Sequence, residues 1–509
     1  MDSLLRRRAL ATALVIALLS TLHASAPAAS LVPAASPFTT LRVATTPAPL
    51  QAGAAGTIVI DTNGGLDNTL TWRVVGSDGI TEAIPITVAV VDSSTRATIT
   101  VNVPPSLPSG RYSLLGLSGS NTMGFASFLV GSGEGTYNAI PPSRVLDTRL
   151  GVGFGRALED GETISVTALG IGTVPSANVS AIVATLTAVT PTGDGYLAAF
   201  PSGQALPNVS NLNFRAGEVV PNQVVVAPGT GGTIDLHNAG GRTHVLLDVV
   251  GWFSDASGPL GWTYGANTGN SAWRVLDTRA TAPIAARATT RFTVPSVSPL
   301  GRRTSIVANV TVDRPAATGF LTVYQAGLPT RPNSSINNFT AGRANAATAT
   351  IATDVDGRID IYNGSDGPIH VIIDVLGGYY TESPAPNVFR PVATPYRAID
   401  MRLAPFARRL TPKELFTSAI GASRTPANAS FVVGNITATG ATGLGWMNVT
   451  NGGCCGDLSV RNSSIVNFAA DQTVANAFVS SIGPDGSLLI YNDASPVYAI
   501  VDVFGGIGQ

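Results

Sequence analysis

"RVLDTR" occupies residues 144–149 and returns unchanged at 274–279; a variant, "RAIDMR", follows at 397–402. Each copy leads to a second landmark: "HVLLDVVGWF" at 244–253, "HVIIDVLGGYY" at 370–380 and "YAIVDVFGGIG" at 498–508. From first aspartate to second the spacing is 101 residues (Asp147 to Asp248), 97 (Asp277 to Asp374) and 102 (Asp400 to Asp502). Between them "SNLNF", "SINNF" and "SIVNF" end at Phe214, Phe339 and Phe468, and each is followed by an asparagine: Asn222, Asn345 and Asn476. Then come "GGTIDLHN", "DGRIDIYN" and "DGSLLIYN". Landmarks in one order at near-constant spacing define a threefold internal repeat. Its period is too long for a solenoid unit and suits a domain that buries its own core.

Within the first copy, short runs of Val, Ile, Leu and Thr alternate with turn clusters such as "PTGDG" and "PGTGG". The pattern predicts strands near 144–149, 162–168, 180–189, 195–200, 209–214, 222–227, 233–237 and 243–253, with no helical period anywhere. The expected class is all-β: an N-terminal immunoglobulin-like sandwich, then three homologous antiparallel sandwich or barrel modules. The expected boundaries are 1–29 for an export signal, 37–134 for the leading sandwich, and 135–256, 265–382 and 388–509 for the three modules. Linkers near 132–140, 256–270 and 381–392 are rich in Gly, Ser, Pro and Ala.

Composition narrows the function. Charged residues are 12% of the 509, the net charge is −1 and Lys413 is the sole lysine, so nucleic acid finds no basic surface. Arg6, Arg7 and Arg8 precede an apolar stretch from Ala9 to Leu22 and a small-residue cleavage region around Ala24-Ser25-Ala26. That pattern predicts secretion, with a twin-arginine route open and a retained membrane anchor as the alternative. No later apolar run is long enough to span a membrane, and a mature product that is soluble or held to a surface non-covalently, without a transmembrane anchor, is expected. The two cysteines, Cys454 and Cys455, are adjacent and cannot staple distant segments.

The stretch "VPPSLPSGRYSLLGL" (103–117) resembles the penultimate-strand region of bacterial immunoglobulin-like modules, and that likeness implies the sandwich expected there. The ordered set "RVLDTR", "SNLNF", asparagine, "DVVGWF" resembles an uncharacterised β-repeat of secreted actinobacterial proteins. It occurs there in tandem, often appended to exported hydrolases. The resemblance implies secretion and an accessory role, and brings no catalytic residues. The third copy departs most, with Met401 in place of threonine and Tyr498 in place of histidine.

Asp147 and Arg149 lie two apart and so share a strand face, with Arg144 on the other. If the first and last strands of a module pair, Arg149 meets Asp248, Arg279 meets Asp374 and Arg402 meets Asp502. Such a directional pair suits a structural clasp formed with Asp147, Asp277 and Asp400 alongside. A repeated ligand site and a catalytic signature are the alternatives. His244 and Asp248 are roughly 13 Å apart along a strand, too far for a catalytic hydrogen bond. Only His237 adds another histidine beyond the two landmark ones in the mature chain, and no nucleophile-elbow motif occurs. Calcium ligation at "TDVDG" (353–357) competes with a plain hairpin turn, and zinc has no ligand cluster. No metal or cofactor is expected.

Asn213, Asn338 and Asn467, with Asn222, Asn345 and Asn476, sit among apolar residues; each is expected to satisfy backbone groups at a bend, or else to form a polar ligand shelf. In "GWMNVTNGGCCGD" (445–457) a Cys454–Cys455 disulfide beside Trp446 could stack on a sugar ring; a surface loop is the alternative. Trp252, Trp262 and Trp273 are expected to pack between modules. The functional expectation is a secreted, non-catalytic binding or surface-structural protein that contacts polysaccharide, cell wall or another surface protein through repeat loops. An extracellular hydrolase with a site in one module and a ligand-free mechanical spacer are the alternatives.

Overall fold

A computed structural model describes residues 38–46, 50, 53–75, 82–104, 107, 110–130, 134–259, 261–266, 272–295, 303–380, 387–421, 424–426, 428–451 and 463–508. The expected export signal and Cys454 and Cys455 lie outside the described residues. Among them the chain is all-β, interrupted by two short 3-10 turns at Thr230–Gly232 and Thr278–Ala280. No helix among them is long and apolar enough to cross a membrane.

The leading segment gives β1 (Thr40–Thr46), β2 (Ala55–Thr62), β3 (Thr71–Val75), β4 (Glu82–Ile84), β5 (Ile86–Ser93), β6 (Arg96–Asn102), β7 (Gly110–Ser118) and β8 (Asn121–Val130). They form two antiparallel sheets, β1-β2-β6-β5 and β4-β3-β7-β8, which close on a core that includes Ile58, Ile60, Ile99, Val101 and Leu114.

The first copy contributes β9 (Tyr137–Asp147), β10 (Thr163–Thr167), β11 (Val179–Val189), β12 (Gly195–Pro201), β13 (Leu212–Phe214), β14 (Val219–Val226), β15 (Thr233–Ala239) and β16 (His244–Ser254). Its inner sheet runs β14-β11-β16-β9 and its outer sheet β10-β15-β12-β13. The second copy has β17 (Thr263–Ala266), β18 (Trp273–Asp277), β19 (Thr289–Thr293), β20 (Arg303–Asp313), β21 (Gly319–Gln325), β22 (Asn337–Phe339), β23 (Asn345–Ala352), β24 (Arg358–Asn363) and β25 (His370–Tyr380). The third has β26 (Val388–Asp400), β27 (Leu415–Ala419), β28 (Ala429–Thr439), β29 (Gly445–Asn451), β30 (Val466–Phe468), β31 (Val474–Ser481), β32 (Ser487–Asn492) and β33 (Tyr498–Gly508). Their sheets repeat the first copy's order, with β17 and β18 both pairing β25 where the first copy has the single strand β9.

Burial along the strands explains why the copies do not lie like beads. β10, "TISVT", alternates exposed and buried residues because its sheet has water on one side. β11, "VSAIVATLTAV", is buried along nearly its whole length, so both faces of the inner sheet are covered. Ile182, Ala184 and Leu186 face the copy's own sandwich core. Ala181 and Val183 join a separate cluster that draws Tyr137, Val225 and Phe253 from copy one, Tyr264, Val307 and Tyr379 from copy two, and Phe389, Phe431, Val433, Val479 and Ile507 from copy three. The three inner sheets therefore share one core. Within it Tyr137 stacks on Tyr379 at 4.2 Å and Phe253 on Phe389 at 4.4 Å, while Tyr264 meets Phe431 edge-on at 5.2 Å.

This core explains the glycine that follows each "DVV", "DVL" or "DVF". A Cβ on Gly251 would lie 2.1 Å from the Tyr137 hydroxyl, one on Gly377 2.2 Å from that of Tyr264, and one on Gly505 2.3 Å from the Phe389 ring. Only a residue without a side chain lets those rings reach the shared core.

Candidate functional site at the junction of the three copies

The clasp exists with a different arginine from the one the spacing suggests. Arg144 Nε and Nη2 donate to the two oxygens of Asp248 at 2.8 and 2.9 Å. Arg274 does the same to Asp374 at 2.8 and 3.0 Å, and Arg397 to Asp502 at 2.8 and 3.2 Å. Arg149, Arg279 and Arg402 instead fold back on Asp147, Asp277 and Asp400, two residues before each. The cause is a bulge. Leu247 pairs with Leu146, but Asp248 pairs with Arg144, so Val145 is the extra residue and Arg144 changes face. Register shifts at the same place in copies two and three do likewise. The strand also ends at Asp147, so Arg149 stands in the turn beyond it.

The two aspartates of each clasp are tuned in opposite directions. Burial pushes Asp248, Asp374 and Asp502 up from the ordinary carboxyl range, against the pull of their arginines. The Arg149 hydrogen bonds hold Asp147 down, and those of Arg279 bring Asp277 to about 2. At Asp400 burial pulls upward, and the Arg402 bonds outweigh it.

The landmark histidines belong to the same strand end and not to an acid dyad. His244 Nδ1 lies 2.9 Å from Thr148 Oγ1, and His370 Nδ1 lies 3.2 Å from Thr278 Oγ1. The two departures of copy three are therefore one change in space: Met401 takes the threonine's position and is fully buried, and Tyr498 takes the histidine's, under Arg409 at 4.7 Å. His237 is hydrogen-bonded to Thr163 and held down by burial.

Two of the repeated asparagines, Asn222 and Asn476, link one copy to the next. Asn222 Nδ2 donates to Asn435 Oδ1 at 2.9 Å, Asn435 Nδ2 donates to the Ser210 carbonyl at 2.8 Å, and the Ala477 amide donates to Asn222 Oδ1 at 3.0 Å. The same three bonds join copies three and two: Asn476 Nδ2 to Asn309 Oδ1 at 3.0 Å, Asn309 Nδ2 to the Ser464 carbonyl, and the Thr348 amide to Asn476 Oδ1 at 2.9 Å. All four asparagines are buried. Neighbouring loops reach the clasps as well, through the Ser210 amide on Asp502 and Arg144 on the Asn333 carbonyl.

The third junction, between copies two and one, breaks this pattern. Strand registers place Ala347, not Asn345, in the position of Asn222 and Asn476, and Thr185 in that of Asn309 and Asn435. Asn345 stays within its own copy, bonded to Asn337 and Asn338. A cavity of about 30 Å3 opens here, bounded by Pro141, Thr185, Gln223 and Val250 of copy one and by Tyr324, Leu328 and Thr350 of copy two.

Asn309 and Asn435 carry no repeated letter in copy one, so comparing the three copies by spacing passes over them. Asn238, Asn363 and Asn492, the final letters of "DLHN", "DIYN" and "LIYN", were equally open to view; each Nδ2 bonds three carbonyls of its own copy's turns. Among the other expected site residues, Asn213 accepts from Ser210, and Trp446 packs edge-on against Tyr491 at 5.3 Å on the outer sheet. Trp252 lies in the core of copy one, while Trp262 packs against the shared core. "TDVDG" is a turn in which Asp354 binds Arg358 and local amides. No group of three or more His, Cys, Asp or Glu side chains among the described residues could hold a metal.

No protein-family model matches the sequence, and no curated protein is similar to it. Among solved structures the chain is similar to one titled as the atomic structure of Sulfolobus Turreted Icosahedral Virus, at 8% identity over 85% of this chain and 92% of that one, TM-score 0.16. A triple jelly roll from an archaeal virus turret matches at 10% identity over 73% and 91%, TM-score 0.14. E. coli alpha-2-macroglobulin matches at 12% identity over 90% of this chain and 28% of that one, TM-score 0.18. At these scores none bears on function.

Proposed function

We propose that the chain is a secreted, non-catalytic surface protein whose three repeats act as one rigid body that contacts polysaccharide, cell wall or another surface protein through its outward loops. The observation that carries this reading is the interlocked junction. The landmark acids Asp248, Asp374 and Asp502 are buried against arginines of their own copies, and Asn222 and Asn476 are bonded across the junctions, so this chemistry holds the three copies in fixed relation. Fixed spacing of three sets of loops suits multivalent contact with a repeating surface, where weak single contacts add up if the geometry allows simultaneous engagement. Export signals and the resemblance to tandem repeats of secreted proteins agree with this reading.

Co-sedimentation of the purified full chain with isolated cell-wall and polysaccharide fractions tests it. Salt-resistant association without loss of polymer is the expected result. Absence of association with every fraction, or release of soluble sugar or peptide from one of them, would overturn it.

A further inference from the structure

The two intact junctions are closed by paired asparagines, and the third is not. Two substitutions and a backbone difference coincide there. Thr185 stands where Asn309 and Asn435 stand, and it makes neither of their bonds. Leu328 occupies the loop position of Gln204, which at the junction of copies one and three bonds Ala393 and Thr394. The bulge of β9 is also shorter: residues 140–142 face Val250, whereas 392–395 face Phe504.

The cavity left behind has a defined chemistry. Gln223 is 6% exposed, and its Oε1 accepts the backbone N–H of Thr350. That bond fixes the orientation of the amide, because a backbone N–H can be met only by the oxygen. Gln223 lines the cavity, and its Nε2 makes no hydrogen bond among the described residues. Thr185, also 6% exposed, adds a hydroxyl, and Pro141, Val250, Tyr324 and Leu328 supply apolar walls. At ~10–15 Å3 per water the space takes two or three waters, or one group of similar size.

We propose that this seam binds the acetamido group of an N-acetylated amino sugar. Its carbonyl oxygen accepts from Gln223 Nε2, its N–H donates to Thr185 Oγ1 and its methyl lies against the apolar wall. It thereby occupies the kind of space that an asparagine carboxamide closes at the other two junctions. The inference rests on the surface-binding reading above and names a ligand class for it.

Titration calorimetry of the full chain with the trisaccharide of N-acetylglucosamine tests the site, with the trisaccharide of glucosamine and N-acetylalanine methylamide as comparisons. Saturable binding of the acetylated sugar, weaker by about tenfold or more after deacetylation, is expected from loss of the paired amide. Thr185→Val should weaken binding by roughly three- to tenfold at unchanged Tm. Leu328→Trp, on a half-buried loop, should block the cavity and abolish binding in a folded protein. Failure of the acetylated sugar to bind, equal binding of the deacetylated sugar, or binding undiminished by Leu328→Trp would overturn the site. Tighter binding of the peptide amide would overturn its assignment to sugars. Wall association that persists while the acetylated sugar fails sinks this inference alone; loss of wall association sinks the broader reading.

Discussion

Two junctions of this molecule are sealed by paired asparagines, and the third, built on the same strands, is not. At the sealed junctions Asn222 meets Asn435 and Asn476 meets Asn309; Asn222 and Asn476 also accept an edge-strand amide, and Asn435 and Asn309 donate to a loop carbonyl of the neighbouring copy. At the seam, Ala347 and Thr185 leave Gln223 to make the one cross-junction bond of that kind, to Thr350. Since the sheets are alike, the difference resides in a few side chains and a bulge of β9 one residue shorter. A threefold frame can thus hold a local exception without losing its closure, because the apolar core beneath is common to all three copies.

Substitutions at the junctions can break or sharpen this contrast. The largest effect is expected from Arg397→Ala. Asp502 is buried and also accepts the Ser210 amide of copy one, so removing its arginine strands a charge inside a sealed junction and should cost about 3–5 kcal/mol in chemical denaturation. Asn435→Ala comes next. It leaves Asn222 Nδ2 without one acceptor and the Ser210 carbonyl without its donor, a loss of about 1–3 kcal/mol. Thr185→Ala, the matching change at the seam, should cost clearly less, and equal losses would erase the distinction between the junctions.

The reverse experiment is the double variant Thr185→Asn with Ala347→Asn, which rebuilds the missing rung. It should raise stability by about 0.5–1.5 kcal/mol per bond regained, read as a higher denaturant midpoint at unchanged slope. A smaller effect is expected for Arg279→Ala, since its pair with Asp277 is local and part-exposed: under about 1 kcal/mol. The last effect depends on pH. Asp277 titrates at about 2 in the folded chain, below its ordinary value, so its contribution is full above about pH 4 and fades as the pH falls towards 2. Melting curves of the parent and of Asp277→Asn should converge over that interval. Asp374 shifts the other way: its raised value makes the folded state hold the proton more readily, a contribution that fades as pH rises through it.

Much of the fold was legible because strands announce themselves by alternation and turns. Seven of the eight strands expected in the first copy lie within a few residues of where they form. β9 begins at Tyr137, before the expected 144, because Pro141 and Pro142 disguise a bulged strand as a linker. The clasp was half legible. Its aspartates follow from the spacing, but the partner arginine turns on a one-residue bulge, and a bulge reverses every face assignment made by counting in twos. The junction was the least legible. Spacing aligned Asn345 with Asn222 and Asn476, whereas register puts Ala347 there, two residues along. Continuous burial in "VSAIVATLTAV" was the available sign that the inner sheet is covered on both faces, but a run of apolar letters does not say what covers it.

Hydrogen exchange at the amides of Ala477 and Thr348 tests most directly whether the three copies close on one another. Both lie on edge strands and donate outward to asparagines of a neighbouring copy. In a closed ring they should exchange as slowly as the central strands β11, β20 and β28. Exchange at the rate of open strand edges, with the sandwich cores still protected, would mean that the copies are separate beads.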